Sequence, residues 1–286
     1  MPAAPTVPDM NPNPLPPELH QLADQTELGA HRAVYRPRAT PVAVPLAVAL
    51  TIYVLAAACL AGSNMLENSF GVIMLVVFTL FIGLGVLNVL HARRRSGAAD
   101  ELHLFDHGLI VKGPKTLVSL HHWDDATVYQ RLFHYPQTGL TTYNYLLVAP
   151  DGAAISIGDP KGATGSALMN LPDLDHFTLG AAFDRPDEWG PAVQSQITRA
   201  QLPAVLARLQ HNDPVTFGPL TLDRDTLTVD GTAIPLTGLQ DAAVHDGTAV
   251  FKSYNRYFKT REPIHTIPNF FLFKEALQAQ TNRPWS

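Results

Sequence analysis

The sequence predicts an α+β protein: an N-terminal transmembrane helical hairpin, then two related domains, each an antiparallel sheet followed by a C-terminal helix. Three observations predict it. Residues 41–63 and 71–90 are two apolar runs without a single Lys, Arg, Asp or Glu. The rest of the chain contains an internal duplication. Within each copy, apolar residues first recur every second position and later every three or four.

Each apolar run reaches the roughly 20 helical residues that cross a hydrocarbon core, and only residues 64–70 separate them. Arg32, Arg36 and Arg38 precede the first run, Arg93, Arg94 and Arg95 follow the second, and the loop carries only Glu67. Basic residues flanking spans stay on the cytoplasmic side. The expectation is a hairpin over 40–95 in the cell membrane, a multi-pass arrangement of two spans with both termini cytoplasmic. Cys59, the single cysteine, lies inside the first run and excludes an intramolecular disulfide. Residues 1–27 are rich in Pro and poor in large apolar side chains, a composition that does not offset the entropy of ordering. Residues 1–39 are therefore expected to be a disordered tail and juxtamembrane segment.

In the duplication, Leu102, Leu104, Leu109 and Val111, closed by Gly113, match Leu220, Leu222, Leu227 and Val229, closed by Gly231. Trp123, Asp125, Ala126 and Val128 match Leu239, Asp241, Ala242 and Val244, and Leu171-Pro172-Asp173-Leu174 matches Ile267-Pro268-Asn269-Phe270. Three blocks in one order indicate two copies of one domain. Strand pairs are expected around Asp106-His107-Gly108, Pro150-Asp151-Gly152 and Asp230-Gly231, turn sequences in which Pro fixes φ and Gly allows positive φ. A further pair joins 248–254 to 257–261. Residues 268–280 read as a Pro-started amphipathic helix bearing Phe270, Phe273 and Leu277 on one face.

A small bent antiparallel sheet plugged by one C-terminal helix is the pattern of a pleckstrin-homology-like (PH-like) domain. The expected division is a first PH-like domain at 98–185, a helical connector at 186–211, bent or interrupted at Pro203, and a second PH-like domain at 212–281. The chain also resembles a family of uncharacterised bacterial membrane proteins with two N-terminal spans and a cytoplasmic PH-like tail. The matching pieces are Leu28-Gly29, Val34-Tyr35-Arg36-Pro37, Leu104-Phe105-Asp106-His107-Gly108-Leu109, Trp123-Asp124-Asp125, Phe217-Gly218-Pro219-Leu220 and Ile267-Pro268-Asn269. The resemblance implies a fold and brings no activity or catalytic residue with it.

The side chains that could carry chemistry give weak patterns. Twelve histidines include His103 and His107 at one strand parity and the pair His121-His122. No Cys outside the apolar runs and no helical His-x-x-x-His supports a zinc site, so no metal and no cofactor is expected. The stretch 158–166 lacks Walker spacing, because Lys161 precedes Gly162 and no Lys follows Gly165. Asp124-Asp125 reads as a strand-start feature rather than an acid pair, since an Asp recurs at 241 in the other copy. One segment stands out: Lys252, Arg256, Lys259 and Arg261 interleave with Phe251, Tyr254, Tyr257 and Phe258. Lys252, Tyr254, Arg256, Tyr257, Lys259 and Arg261 are the candidate binding residues, for an anionic headgroup or an acidic protein. The competing reading is an edge strand guarded by charge.

Residues 96–286 hold 14 Lys and Arg against 20 Asp and Glu, a net charge of −6, which disfavours nucleic acid. The expected function is a membrane-anchored cytoplasmic binding or scaffold module without catalysis. The alternative is an enzyme with its site in the cleft between the two domains, and a pore subunit ranks third. Expected partners are the bilayer through 40–95, a protein or anionic headgroup, and a second copy in a homo-oligomer.

Overall fold

The computed structural model describes residues 15–38, 48, 51–55, 58, 73, 76–77, 79–87, 100–113, 118–135, 140–159, 176–254 and 259–285. The chain divides into two compact units, Pro37–Ala99 on its own and Met1–Arg36 together with Asp100–Ser286.

In the unit Pro37–Ala99, residues 51–55 and 79–87 are helical, and the Tyr53 hydroxyl lies 3.2 Å from that of Thr79. Ile52, Val54, Leu55, Leu80, Phe81, Leu84 and Leu87 are exposed. No helix among the described residues is long and apolar enough to cross a membrane. The expected two-span hairpin, with its cell-membrane localisation and two-sided topology, is corrected accordingly. The physical reason is continuity: an apolar run shows compatibility with hydrocarbon, whereas a span needs about 20 helical residues in sequence. Much of 41–63 and 71–90 lies outside the described residues.

The other unit is α+β and consists of two lobes. The first begins with helix α1 (Pro17–Gln25) and strand β1 (His31–Tyr35). After residue 99 come β2 (Glu101–Phe105), β3 (Gly108–Lys112) and β4 (Val118–His122), forming an antiparallel sheet in the order β1-β2-β3-β4. A second sheet follows, β5 (Thr127–Tyr135), β6 (Leu140–Val148), β7 (Ala153–Gly158) and β8 (His176–Leu179), in which only β7 and β8 run parallel. Helix α2 (Pro186–Gln210) leads into the second lobe. There, β9 (Val215–Phe217), β10 (Leu220–Leu222), β11 (Thr226–Val229) and β12 (Thr232–Pro235) form a four-stranded sheet. A three-stranded one comprises β13 (Leu239–His245), β14 (Thr248–Ser253) and β15 (Thr260–Pro263), and helix α3 (Phe270–Thr281) follows.

The N-terminal segment departs from the expected disorder. Pro17 occupies the first helical turn, where its missing N–H costs nothing. Leu19 and Ala23, one turn apart, bury against Leu28, Phe105 and Ile110. Residues 1–14 lie outside the described residues. β1 then pairs with β2, setting Tyr35 opposite Leu102 and His31 opposite Phe105. The first lobe therefore begins before the apolar runs and not at residue 98.

Helix α2 is more than a connector. It is continuous through Pro203, and its buried large apolar side chains step by four: Trp189, Val193 and Ile197 belong to the first lobe's core, Val205 and Leu209 to the second's. A row of i+4 positions drifts by about 40° per step on a helix of 3.6 residues per turn. One row thus faces the first lobe at its start and the second at its end. Gln201 occupies the missing step.

The duplication is real in architecture but shifted in register. Trp123 N–H donates to the His107 carbonyl at 2.9 Å, and Leu236 N–H donates to the Asp225 carbonyl at 2.8 Å, each tying the turn after a sheet to the turn between its second and third strands. Leu236, three residues before Leu239, is the counterpart of Trp123. Asp124 and Asp125 then correspond to Thr237 and Gly238, so the recurrence of an Asp at 241 is not structural. Residues 171–175 lie outside the described residues, and the place Asn269 holds before α3 is held before α2 by Arg185. Both adopt left-handed φ, +49° in each case.

Candidate binding cleft

A cleft of about 1000 Å³ opens in the first lobe. Its walls come from the end of α1 (Thr26, Glu27), Arg32 on β1, the β2–β3 turn (Asp106, His107), the β4–β5 turn (His122–Asp125) and the outer face of α2 (Ser195, Gln196, Arg199).

Close backbone approaches hold these segments together. Gly108 carries no side chain because a Cβ there would stand 2.4 Å from the His121 carbonyl oxygen and 2.5 Å from Leu28 Cδ2. Gly29, at φ +77°, lies against Asp106 in the same way, a Cβ meeting that residue's own Cβ at 2.9 Å. Asp106 ties the turn to β1. Its carboxylate accepts from the Arg32 guanidinium and from Ala30 N–H at 3.1 Å, and its own N–H donates to the Ala30 carbonyl at 3.1 Å. Partial burial raises the Asp106 carboxyl, but these donors outweigh it and hold the group below the usual range.

Trp123 is 3% exposed, and its indole N–H donates to the Phe105 carbonyl at 3.2 Å. That bond fixes the β4–β5 turn, leaving Asp124 and Asp125 exposed at the rim. Desolvation first, and the neighbouring Asp124 charge second, push the Asp125 carboxyl up. Arg32 is already paired with Asp106. Arg199, on the α2 wall, is a second exposed guanidinium in a lining that also carries Glu27, Asp124 and Asp125. The arrangement suits a polar partner offering more positive than negative charge.

The junction between the lobes lies beside this cleft and is filled. Gln201 Nε2 donates to the carbonyls of Trp123 at 2.9 Å and Ala126 at 2.8 Å. The Asn269 side chain accepts from Val128 N–H at 2.8 Å and donates to the Ala126 carbonyl and Gln201 Oε1, both at 3.1 Å, while Asn269 N–H donates to the Val128 carbonyl at 2.8 Å. Asn269 is buried, so these bonds form in a low-dielectric setting where an unpaired polar group costs most. Neither residue stood out in the sequence as a junction. Gln201's place on the i+4 row and Asn269's place before a helix were the available signals.

The structure separates the histidines that the sequence grouped. His107 is exposed at the cleft, whereas His103 is buried. His121 is buried, its Nε2 2.8 Å from Ser119 Oγ, and burial brings its imidazole down to about 4. His122 lines the cleft. Among the described residues, no group of three His, Cys, Asp or Glu side chains could hold a metal ion.

Of the sequence-predicted binding residues, Arg256 and Tyr257 lie outside the described residues, as does Phe258. Lys252 on β14 is exposed and lies in register opposite Asp241. Arg261 on β15 is exposed opposite Val250, and Lys259 is exposed just before that strand. By strand alternation these three cations share the outer face of the sheet, and Tyr254 follows β14 at 66% exposure. Phe251 points the other way, into the second core.

The chain belongs to the family of unknown function DUF6585, whose profile matches residues 7–160 and 162–284. No curated protein and no solved structure matches it.

Proposed function

We propose that this chain is a non-catalytic binding module in which two PH-like lobes form one platform and the first lobe's cleft receives a partner. The supporting observation is convergence: Leu28-Gly29, Leu104–Leu109 and Trp123-Asp124-Asp125, distant in sequence, are held by backbone contacts around one open charged cleft. The strand plan supports the PH-like reading, since each lobe has a four-stranded antiparallel sheet, a second sheet and a closing helix. An enzyme with its site between the lobes has less support, because Gln201 and Asn269 fill that junction.

Photocrosslinking in the full chain tests the reading. A benzophenone side chain at Ser195 should give a discrete adduct in cells, and one at Arg224, an exposed turn position of the second lobe, should not. Asp124→Lys with Asp125→Lys should reduce the Ser195 adduct at least five-fold by reversing the rim charge. Equal adducts from both positions, or an adduct indifferent to charge reversal, overturn it.

A further inference from the structure

We propose that His31 and His103 form an acid-opened clasp that holds β1, and α1 before it, on the first lobe. β1 is the edge strand of its sheet, pairing only with β2 in the strand order, while Arg36 just after it accepts from Asp184 N–H at 2.8 Å and donates to Asp184 Oδ1 at 3.2 Å, so release starts at the His31 end. A register shift between His31 and Ala33 already interrupts that pairing. These two strands are also the last before, and the first after, residues 37–99.

The two imidazoles meet across the strands, with His31 Nε2 3.2 Å from His103 Nδ1 and ring centroids 5.3 Å apart. On its other side, His103 Nε2 lies 3.3 Å from Glu101 Oε2. One assignment of protons satisfies the row: His103 Nε2–H donates to Glu101, and His31 Nε2–H donates to the bare His103 Nδ1. Both rings are then neutral. A proton added to His103 Nδ1 sets two N–H groups against each other unless His31 moves its own proton from Nε2 to Nδ1. A proton on His31 Nδ1 sits on a buried atom without a well-formed hydrogen bond among the described residues, and the Ala33 backbone favours the charged ring less than burial opposes it. His103 is 3% exposed, so water cannot relieve a charge on that ring, whereas His31 is only half-buried.

The surrounding charges do not cancel this. Glu101 favours protonation of His103, whereas His31 and Lys112 on β3 oppose it; burial is the largest influence and brings His103 down to about 4. Burial also lowers His31, whose other neighbour is the Phe105 ring at 5.2 Å. From α1 come Glu18, His20 and Asp24, of which His20 and Asp24 pair with each other at the surface. Asp100 lies on the opposite side of β2 by alternation. Arg32 and Asp106 tie β1 further along, and the lowered Asp106 carboxyl keeps that tie through mild acid.

The sign follows from linkage. A histidine lowered by folding binds its proton better when released, so acid favours the released strand. With an ordinary value near 6.5, a freed His103 imidazole favours the open form about ten-fold at pH 5.5, and His31 adds in the same direction.

Hydrogen–deuterium exchange of the full chain at pH 7.5 and 5.5, corrected for intrinsic rates, tests the clasp. Protection of the amides of residues 31–35 should fall at least ten-fold at the lower pH, while that of 144–148 and 220–229 stays within about two-fold. His31→Asn with His103→Gln should abolish the difference. Unchanged protection in the wild type, or the same loss in the double variant, overturns the proposal. Should that variant fail to fold, ring-proton NMR of wild-type histidines decides instead: titration of His31 and His103 at ordinary values in the folded chain contradicts the clasp, and depressed values support it.

Discussion

The two lobes share a strand plan and differ in what is added to it. The second is assembled from one continuous stretch of chain, β9 through α3. The first takes its edge strand from before residues 37–99 and the rest from after them, and it carries α1, the cleft and the buried histidines. Their cores differ in the same sense. Four residues past the left-handed Arg185, Trp189 packs edge-on against Tyr145 and Phe183, at 5.2 and 6.4 Å between ring centroids. Four residues past the left-handed Asn269 stands the smaller Phe273, and the indole is supplied from outside by Trp285, 5.7–6.1 Å from Phe251, Phe270 and Phe273. The duplicated plan thus tolerates the same core being filled from within or by a tail. It also places the additions that could serve recognition on the first lobe.

Truncating the core indoles should separate the two lobes most. Trp189 is fully buried at 0% exposure, so Trp189→Ala should cost about 3–5 kcal/mol. The indole N–H of neither Trp189 nor Trp285 has a partner among the described residues, but Trp285 is only partly buried, so Trp285→Ala should cost about 1–2 kcal/mol. Urea unfolding followed by circular dichroism measures both. Equal costs would show that the tail indole is as integral to its core as the internal one.

A smaller effect is expected on the second lobe's basic face. Changing Lys252, Arg256, Lys259 and Arg261 to Gln should alter stability by less than about 1 kcal/mol, since the described three are solvated. If that face recognises an anionic partner, capture by the full chain should weaken with the substitution and with rising salt. Retention equal to wild type at both high and low salt would leave these charges as guards of a sheet edge.

Much of the second lobe was legible in the sequence because its pairings are local. Thr226–Val229 and Thr232–Pro235 flank Asp230-Gly231, and the closing helix begins two residues after Pro268. What escaped was non-local. Alternation in 31–35 is too short to announce a strand whose partner lies about 70 residues away. Leu19 and Ala23 were hidden by the proline content around them. The Asp-Ala-x-Val coincidence, Asp125 to Val128 against Asp241 to Val244, set the repeat register three residues off, because apolar spacing fixes a strand's face but not which turn it follows. The candidate site was least legible. Asp106, His107 and Trp123 to Asp125 were visible as motif residues, but their meeting at one cleft depends on two glycines whose need is a close approach to other segments. Gln201 and Asn269 are ordinary polar residues until both lobes are in place.

The shared helix α2 and the Gln201–Asn269 bonds make the two lobes one platform. Pulse-labelling hydrogen exchange across a urea series tests it most directly. Peptides covering 144–157 and 220–229 of the wild type should gain label at the same urea concentration. In Asn269→Ala, which leaves Val128 N–H and Gln201 Oε1 unpaired at a cost of about 1–3 kcal/mol, the two should separate. Separate labelling in the wild type, or coincident labelling unaffected by the substitution, would contradict the claim.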